Sequence, residues 1–283
     1  MTISKESQGI TRVEFYYLIQ FQYLGFRFHG WQKQKDTYRT VQGMLERTLN
    51  FIFEKKIIFK TMGASRTDSM VSALESYCKL TTDTELSPRF ILEELNKNLP
   101  ADIKAINVES TTKEFRIIND SKLKTYQYFF SNQEKAHPFS APFIANFTVD
   151  LNIRKIKLAA KMFQGHHNFS RYCFRPTPTK TYEREILKSE IKLNTEFTAS
   201  FFPETTYIFE VQAQGFLRNQ IRLMMGAIIM VGSGKMSLSE LKESLIGQEF
   251  KLVSFIAPAS GLQLLELSLS NHVPKASDKH ITL

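Results

Sequence analysis

The stretch GASRTDSMVSA, from Gly63 to Ala73, holds an arginine and an aspartate two positions apart among residues too small to bury much. Asp68 there has three readings: a turn residue, half of a surface ion pair worth about 0–1 kcal/mol, or a carboxylate held for nucleophilic or basic attack. For an arbitrary Arg-x-Asp the ion pair is the better reading. Chemistry needs a second cation, a cleft and an aromatic partner elsewhere in the chain. The cation is available in GFLRNQIRLMMGAIIMVGSG, where Arg218 and Arg222 stand one helical turn apart beside an apolar stripe of Leu217, Ile221, Met224 and Ile228. Two like charges at that spacing repel mildly and suit a shared anion; the other reading is a solvated basic edge, which fits Arg218 better than Arg222, deeper in the apolar helix. Asp68 set beside Arg66 and Arg222 is expected to stay ionised, with a depressed pKa. The aromatic candidate is Tyr126 in LKTYQYFF, which pattern alone would place in a core or on a sheet face. FHGWQ (Phe28 to Gln32) holds the single tryptophan, Trp31, beside His29 and Gln32. It reads either as a hydrophobic plug with polar tips or as part of an RNA-facing loop.

These groups need elements to position them. Val13, Phe15, Tyr17, Ile19 and Phe21 alternate as in a strand with one buried face. TVQGMLERTLNFIFEK puts Val41, Leu45, Leu49 and Ile52 on one helical stripe, with Thr40 as N-cap. KIIFKTMGA reads as a strand running into the Asp68 motif. A helix in SPRFILEELNKNL stops before Pro100, and strands follow in IKAINVEST and KTYQYFFSN, the latter with Tyr126, Tyr128 and Phe130 on one side. The Pro- and Phe-rich AHPFSAPFIAN is the best boundary, near residue 145, dividing the chain into halves 1–145 and 146–283. The second half predicts a helix in IRKIKLAAKMFQG, strands in REILKSEIKLN and TYIFEVQAQG, and a helix in FLRNQIRLMMGAIIMVG. This order predicts an α+β fold with antiparallel sheets and helices on one face.

The 283 residues are enough for one large domain or two modest ones, and composition is that of an ordinary soluble protein, apart from polar, aperiodic ends in MTISKESQG and NHVPKASDKHITL. A formal charge of +9, with 24 Phe and 10 Tyr, favours a polyanionic partner read by basic groups and stacking rings. No apolar run approaches the ~20 residues of a membrane helix, and the first residues lack a secretory h-region. Cys78 and Cys173 are far apart and suit buried thiols in a reducing cytosol; with the isolated pair His166 and His167 they make no zinc set. GxxxxGK[ST], GxSxG and HExxH are all missing, which disfavours an unrelated small-molecule enzyme.

In order along the chain, YLGFRFHGWQKQ, TVQG, GASRTDSMVSA, LPADIKA, KTYQYFF, GHHNFSRY, GFLRNQIRLMMGAIIMVGSGK and APASGLQLLEL closely resemble the landmarks of the tRNA pseudouridine synthase A family, from about Phe15 to Leu267. That family carries YDGxxFHGWQxQ, then TVQ opening a helix, then GAGRTDAGVHA. The resemblance implies a uridine isomerase acting on tRNA, with the target in the anticodon stem-loop. It places the catalytic aspartate at Asp68, its arginine at Arg66, the tyrosine against the uracil at Tyr126 and the basic partner at Arg222. His29, Trp31, Gln32, Lys33, Lys124, Arg218 and Asn219 are the candidates for RNA contact. It further implies two ferredoxin-like α/β halves sharing an extended, mostly antiparallel sheet with a central catalytic cleft, a cytoplasmic homodimer, and neither metal nor organic cofactor. Ser65 stands for a family Gly, Ser69 for Ala, Met70 for Gly, Ser72 for His and Leu24 for Asp, while FRIINDSKLKTYQY differs from FHARFSAxxRxYxY. The competing readings are a tRNA-binding or RNA-chaperone protein on the same fold, which would have no need of a carboxylate in a basic cleft, and a pseudouridine synthase with another RNA target.

Overall fold

The computed structural model describes residues 13–132, 134–177, 181–246 and 253–269. The polar ends expected to lack structure fall outside them. The strands are β1 (Phe15–Tyr23), β2 (Phe59–Gly63), β3 (Ser72–Thr82), β4 (Ile103–Thr111), β5 (Ser121–Asn132), β6 (Ala145–Phe147), β7 (Gly165–Asn168), β8 (Glu183–Leu193), β9 (Tyr207–Ala213) and β10 (Leu262–Leu269). The helices are α1 (Val41–Ile52), α2 (Pro88–Asn98), α3 (Ile153–Met162), α4 (Gln220–Gly232) and α5 (Leu238–Glu243). The strands form one 10-stranded sheet in the order β4-β1-β3-β10-β5-β9-β8-β7, with β2 paired to β3 and β6 to β5. Pairing is antiparallel except for β10 with β3 and β6 with β5. The architecture is the expected α+β fold with an extended, mostly antiparallel sheet.

Local chemistry accounts for the helices. Thr40 caps α1, its side chain accepting from the Gly43 N–H at 3.1 Å, and Leu45 and Leu49 are buried on the predicted stripe. α2 begins at Pro88, where a missing N–H costs nothing, and ends before Pro100. Asn152 caps α3, and Ser237 and Glu240 form a capping box on α5. α4 is buried nearly all round, so it is held by packing on every side rather than by one apolar stripe. One continuous core joins the helices to Tyr17, Ile19 and Phe21 of β1 and to Tyr126, Tyr128 and Phe130 of β5. Phe129, which alternation turns to the other side of β5, belongs to a small cluster with Ile144 and Ile208.

Of the elements that differ from expectation, β3, β10 and α4 bear on the site. β3, the strand leaving the Asp68 loop, gave no clear sequence signal because its buried positions include Ser76, Cys78 and Thr82 as well as Leu80. β10 comes from GLQLLEL, whose role only the sheet order reveals: it sits between β3 and β5, bridging strands from the first part of the chain. α4 begins at Gln220, so Arg218 lies in the turn before the helix instead of sharing a helical face with Arg222. Asn219 there has a left-handed backbone (φ 58°), which ends any helical path through Arg218.

Candidate active site

The sheet order builds the site. Leu264 of β10 pairs with Ala73 of β3 on one side and with Tyr126 of β5 on the other. The loop between β2 and β3, carrying Asp68, is therefore held one strand away from Tyr126. Above this seam lies a cleft of about 990 Å³, lined on one wall by Ala64, Ser65, Arg66 and Asp68 and on the other by Phe216, Arg218, Asn219 and Arg222, with Lys124 and Tyr126 between them.

The Asp68 loop is braced by the first motif. Trp31 N–H donates to the Thr67 carbonyl at 3.1 Å, Met70 N–H donates to the Phe28 carbonyl at 3.0 Å, and the Tyr23 and Thr67 hydroxyls lie 2.9 Å apart. Gly30 has φ 94°, and a Cβ there would sit 2.8 Å from the Thr67 carbonyl oxygen, so the two loops approach as closely as they do only with glycine. Trp31 is buried beneath them at 1% exposure, in the plug position rather than on the cleft surface. Gln42 of the TVQ motif completes the brace. Its side-chain Oε1 accepts from the Gln32 side chain at 2.7 Å and from the Lys33 N–H at 3.0 Å, while its side-chain Nε2 donates to Thr61 Oγ1 at 3.0 Å. The three early motifs are thus one hydrogen-bonded unit around Asp68.

The residues that depart from the family pattern take up specific places in this unit. Ser72 Oγ accepts from the Gly25 N–H at 2.9 Å, and Ser69 Oγ donates to the Phe28 carbonyl at 3.2 Å. Ser65 Oγ lies 3.3 Å from the Tyr126 hydroxyl and 3.4 Å from Lys124 Nζ, which also donates to the Ala64 carbonyl at 3.4 Å. Met70 has φ 66°, a left-handed backbone that glycine adopts without strain, at a steric cost of about 1–2 kcal/mol for a residue with a Cβ.

Across the cleft, Arg222 is pinned at both ends of the residue: Nε donates to the Ala257 carbonyl at 2.8 Å, and its own carbonyl accepts from the Ala257 N–H at 3.1 Å. The Tyr128 hydroxyl donates to the adjacent Pro258 carbonyl at 2.8 Å. Gly226 permits this crossing, since a Cβ would lie 1.9 Å from the Phe255 carbonyl oxygen. Arg66, by contrast, is exposed on its wall.

Burial raises the Asp68 pKa above the ordinary carboxylate value. Arg222 and, less strongly, Arg218 oppose the shift by their charge, and the Asn219 backbone N–H opposes it as a donor. The depressed pKa expected from the cations alone is therefore corrected: withdrawal of the carboxylate from water outweighs the arginines. Burial likewise lowers the Lys124 ammonium and the Arg222 guanidinium below their usual values. The Tyr126 hydroxyl is pushed up to about 12, chiefly by burial and further by Asp68, so it remains a neutral group. Its ring meets Phe216 edge-to-face at 5.4 Å between centroids. Phe216 is a cleft residue with no signal of its own in the sequence, because a single Phe before a helix looks like core; only its place opposite the Tyr126 strand marks it.

Of the candidates, His29, Gln32, Arg66, Asp68, Lys124, Tyr126, Arg218, Asn219 and Arg222 come together around this cleft. Trp31 and Lys33 do not line it; Lys33 pairs with Glu46 at 2.7 Å. A concave site with a half-buried carboxylate, fixed cations and two facing rings suits a polyanionic, base-bearing ligand.

Comparison with known proteins agrees with that chemistry. A family model described as tRNA pseudouridine synthase matches residues 19–117 and 159–268. The chain is 32% identical over 248 residues to tRNA pseudouridine synthase A 2 of Bacillus cereus, which covers 88% of this chain and 97% of the relative. It is 32% identical over 253 residues to tRNA pseudouridine synthase A of Dictyoglomus thermophilum, again covering 88% and 97%. A match to tRNA pseudouridine synthase A of Methylacidiphilum infernorum is 32% identical over 252 residues, covering 88% of this chain and 93% of that one. With the ordered motifs, the cleft they build and these matches over most of the chain, the chain belongs to the tRNA pseudouridine synthase family.

Proposed function

We propose that this protein isomerises uridine to pseudouridine in the anticodon stem-loop of tRNA, with Asp68 as the reacting carboxylate. The reaction breaks the C1′–N1 bond, turns the base and joins C1′ to C5; N1 ends protonated and C5 gives up its hydrogen. The observation that carries the reading is the half-buried Asp68 carboxylate facing Arg222 in a cleft floored by Tyr126. Attack on C1′ and removal of the C2′ proton both need that carboxylate ionised against the ribose, and Arg222 favours the ionised form. Extracting the nucleotide from its stack costs a few kcal/mol, of which stacking on Tyr126 returns about 1–3 kcal/mol. A ring that remains neutral stacks on uracil without placing a second negative charge beside Asp68. Arg66, exposed on the wall, is positioned to meet the RNA as the nucleotide enters.

In this reading the half spanning 1–145 supplies the Asp68 loop, and the half spanning 146–283 supplies Arg218, Asn219 and Arg222 with much of the tRNA surface. The resemblance supports a homodimer, and a tRNA substrate supports action in the cytoplasm. The test is pseudouridine mapping of tRNA and other RNA from cells with and without the protein. Loss of pseudouridine at one or a few anticodon-arm positions is the expected result; an unchanged map would contradict it.

A further inference from the structure

Beside the cleft, two arginines share one aromatic ring. The Arg218 guanidinium, on the cleft wall, lies over Phe174 at 5.1 Å from the ring centroid, and the Arg175 guanidinium lies over the same ring at 5.3 Å. An arginine held against a ring face keeps its planar fork of N–H donors available to another group. Among the described residues, no carboxylate forms an ion pair with either guanidinium. Two like charges gathered on one ring repel each other, an arrangement that becomes favourable when an anion joins them.

The loop that presents Arg175 is tied down at several points. Phe174 N–H donates to the Arg218 carbonyl at 3.0 Å, joining the loop backbone directly to the entry of α4. The Tyr172 and Ser244 hydroxyls are 2.5 Å apart, and the Tyr182 hydroxyl donates to the Thr177 carbonyl at 2.7 Å. Arg175 has φ 54°, a left-handed conformation that a residue with a Cβ adopts only where its surroundings fix it. That reversal brings the Arg175 side chain back over the ring of the preceding residue. Arg175 itself is exposed.

We propose that Arg175 and Arg218, carried on Phe174, form a clamp for backbone phosphates of the tRNA strand beside the target nucleotide. This rests on the tRNA-isomerase reading above. Turning one nucleotide out of its stack redirects the strand at that point, so phosphates next to it must be gripped by groups that are themselves fixed. Guanidinium forks match phosphate oxygens bidentately, and the shared ring supplies the fixing.

The test is the salt dependence of binding to an unmodified tRNA transcript, comparing wild type with Arg175→Ala and Phe174→Leu. Arg175→Ala is expected to flatten the slope of log K against log salt by about 0.7–0.9, the loss of one phosphate contact, and to weaken binding by about tenfold. Phe174→Leu keeps both charges but removes their platform, so affinity falls while the slope stays near that of wild type. Unchanged slope and affinity in Arg175→Ala would overturn the clamp. Because binding is read without turnover, a wild type that binds tRNA yet forms no pseudouridine overturns the isomerase reading alone. A wild type that binds no tRNA overturns both.

Discussion

Asp68 is pulled in two directions, by burial that favours its neutral acid and by Arg222 and Arg218 that favour its anion. Burial is the larger effect, so the acid limb of activity should lie above the ordinary aspartate range near ~3.9. A group with a raised native pKa lends its full stability below its unfolded-state pKa, and that contribution is lost as pH rises through the native value. Neutral pH is therefore where the ionised Asp68 is most costly to the fold and most useful to the reaction. Replacing Arg222 by Gln removes the main opposing charge, so the acid limb of kcat/KM should move to higher pH, and Arg222→Lys should move it less. An acid limb at the same pH in all three proteins would show that Arg222 does not govern the carboxylate. The sequence made Asp68, Tyr126 and Arg222 visible as partners, but not the sign of the shift. Charge can be counted along a chain; the depth of a cleft is a property of packing.

The three early motifs act as one element because Gln42 links the start of α1 to the loop beneath Asp68. Gln42→Ala leaves the Gln32 amide and the Lys33 N–H without that acceptor. It should destabilise the protein by about 1–3 kcal/mol, readable as a lower midpoint in denaturant at constant slope. An unchanged midpoint would mean that the brace is not a structural unit. Elements with a strong period were legible: α1, α2, α3, β1, β4, β8 and β9 lie where apolar spacing puts them, with ends set by Thr40, Pro88 and Asn152. β3 was not, since Ser76, Cys78 and Thr82 at its buried positions give no apolar alternation. The start of α4 was also hidden. Helical spacing runs unbroken through Arg218 and Arg222, and only the left-handed backbone of Asn219 separates them.

At the scale of the molecule, the decisive feature is the insertion of β10 between β3 and β5. A strand near the end of the described chain thereby fixes the distance between the Asp68 loop and Tyr126, two groups contributed by the first half. α4 and the 253–258 segment then bring Arg222 over the same seam through Ala257. Periodicity could suggest strands and helices on either side but not this order, because strand order depends on long-range pairing that no local pattern records. The departures at Ser65, Ser69, Met70 and Ser72 are absorbed within that frame by contacts to Tyr126, Phe28 and Gly25, so the altered loop still presents its carboxylate to the cleft. The most direct test of the whole account is a single comparison of wild type and Asp68→Asn, purified and assayed for uridine isomerisation on a tRNA transcript at neutral pH. The expected result is no pseudouridine from the Asn protein, tRNA affinity no weaker than wild type because an anion has been removed from beside two arginines, and a melting temperature no lower. Isomerisation by the Asn protein at the wild-type rate would contradict it.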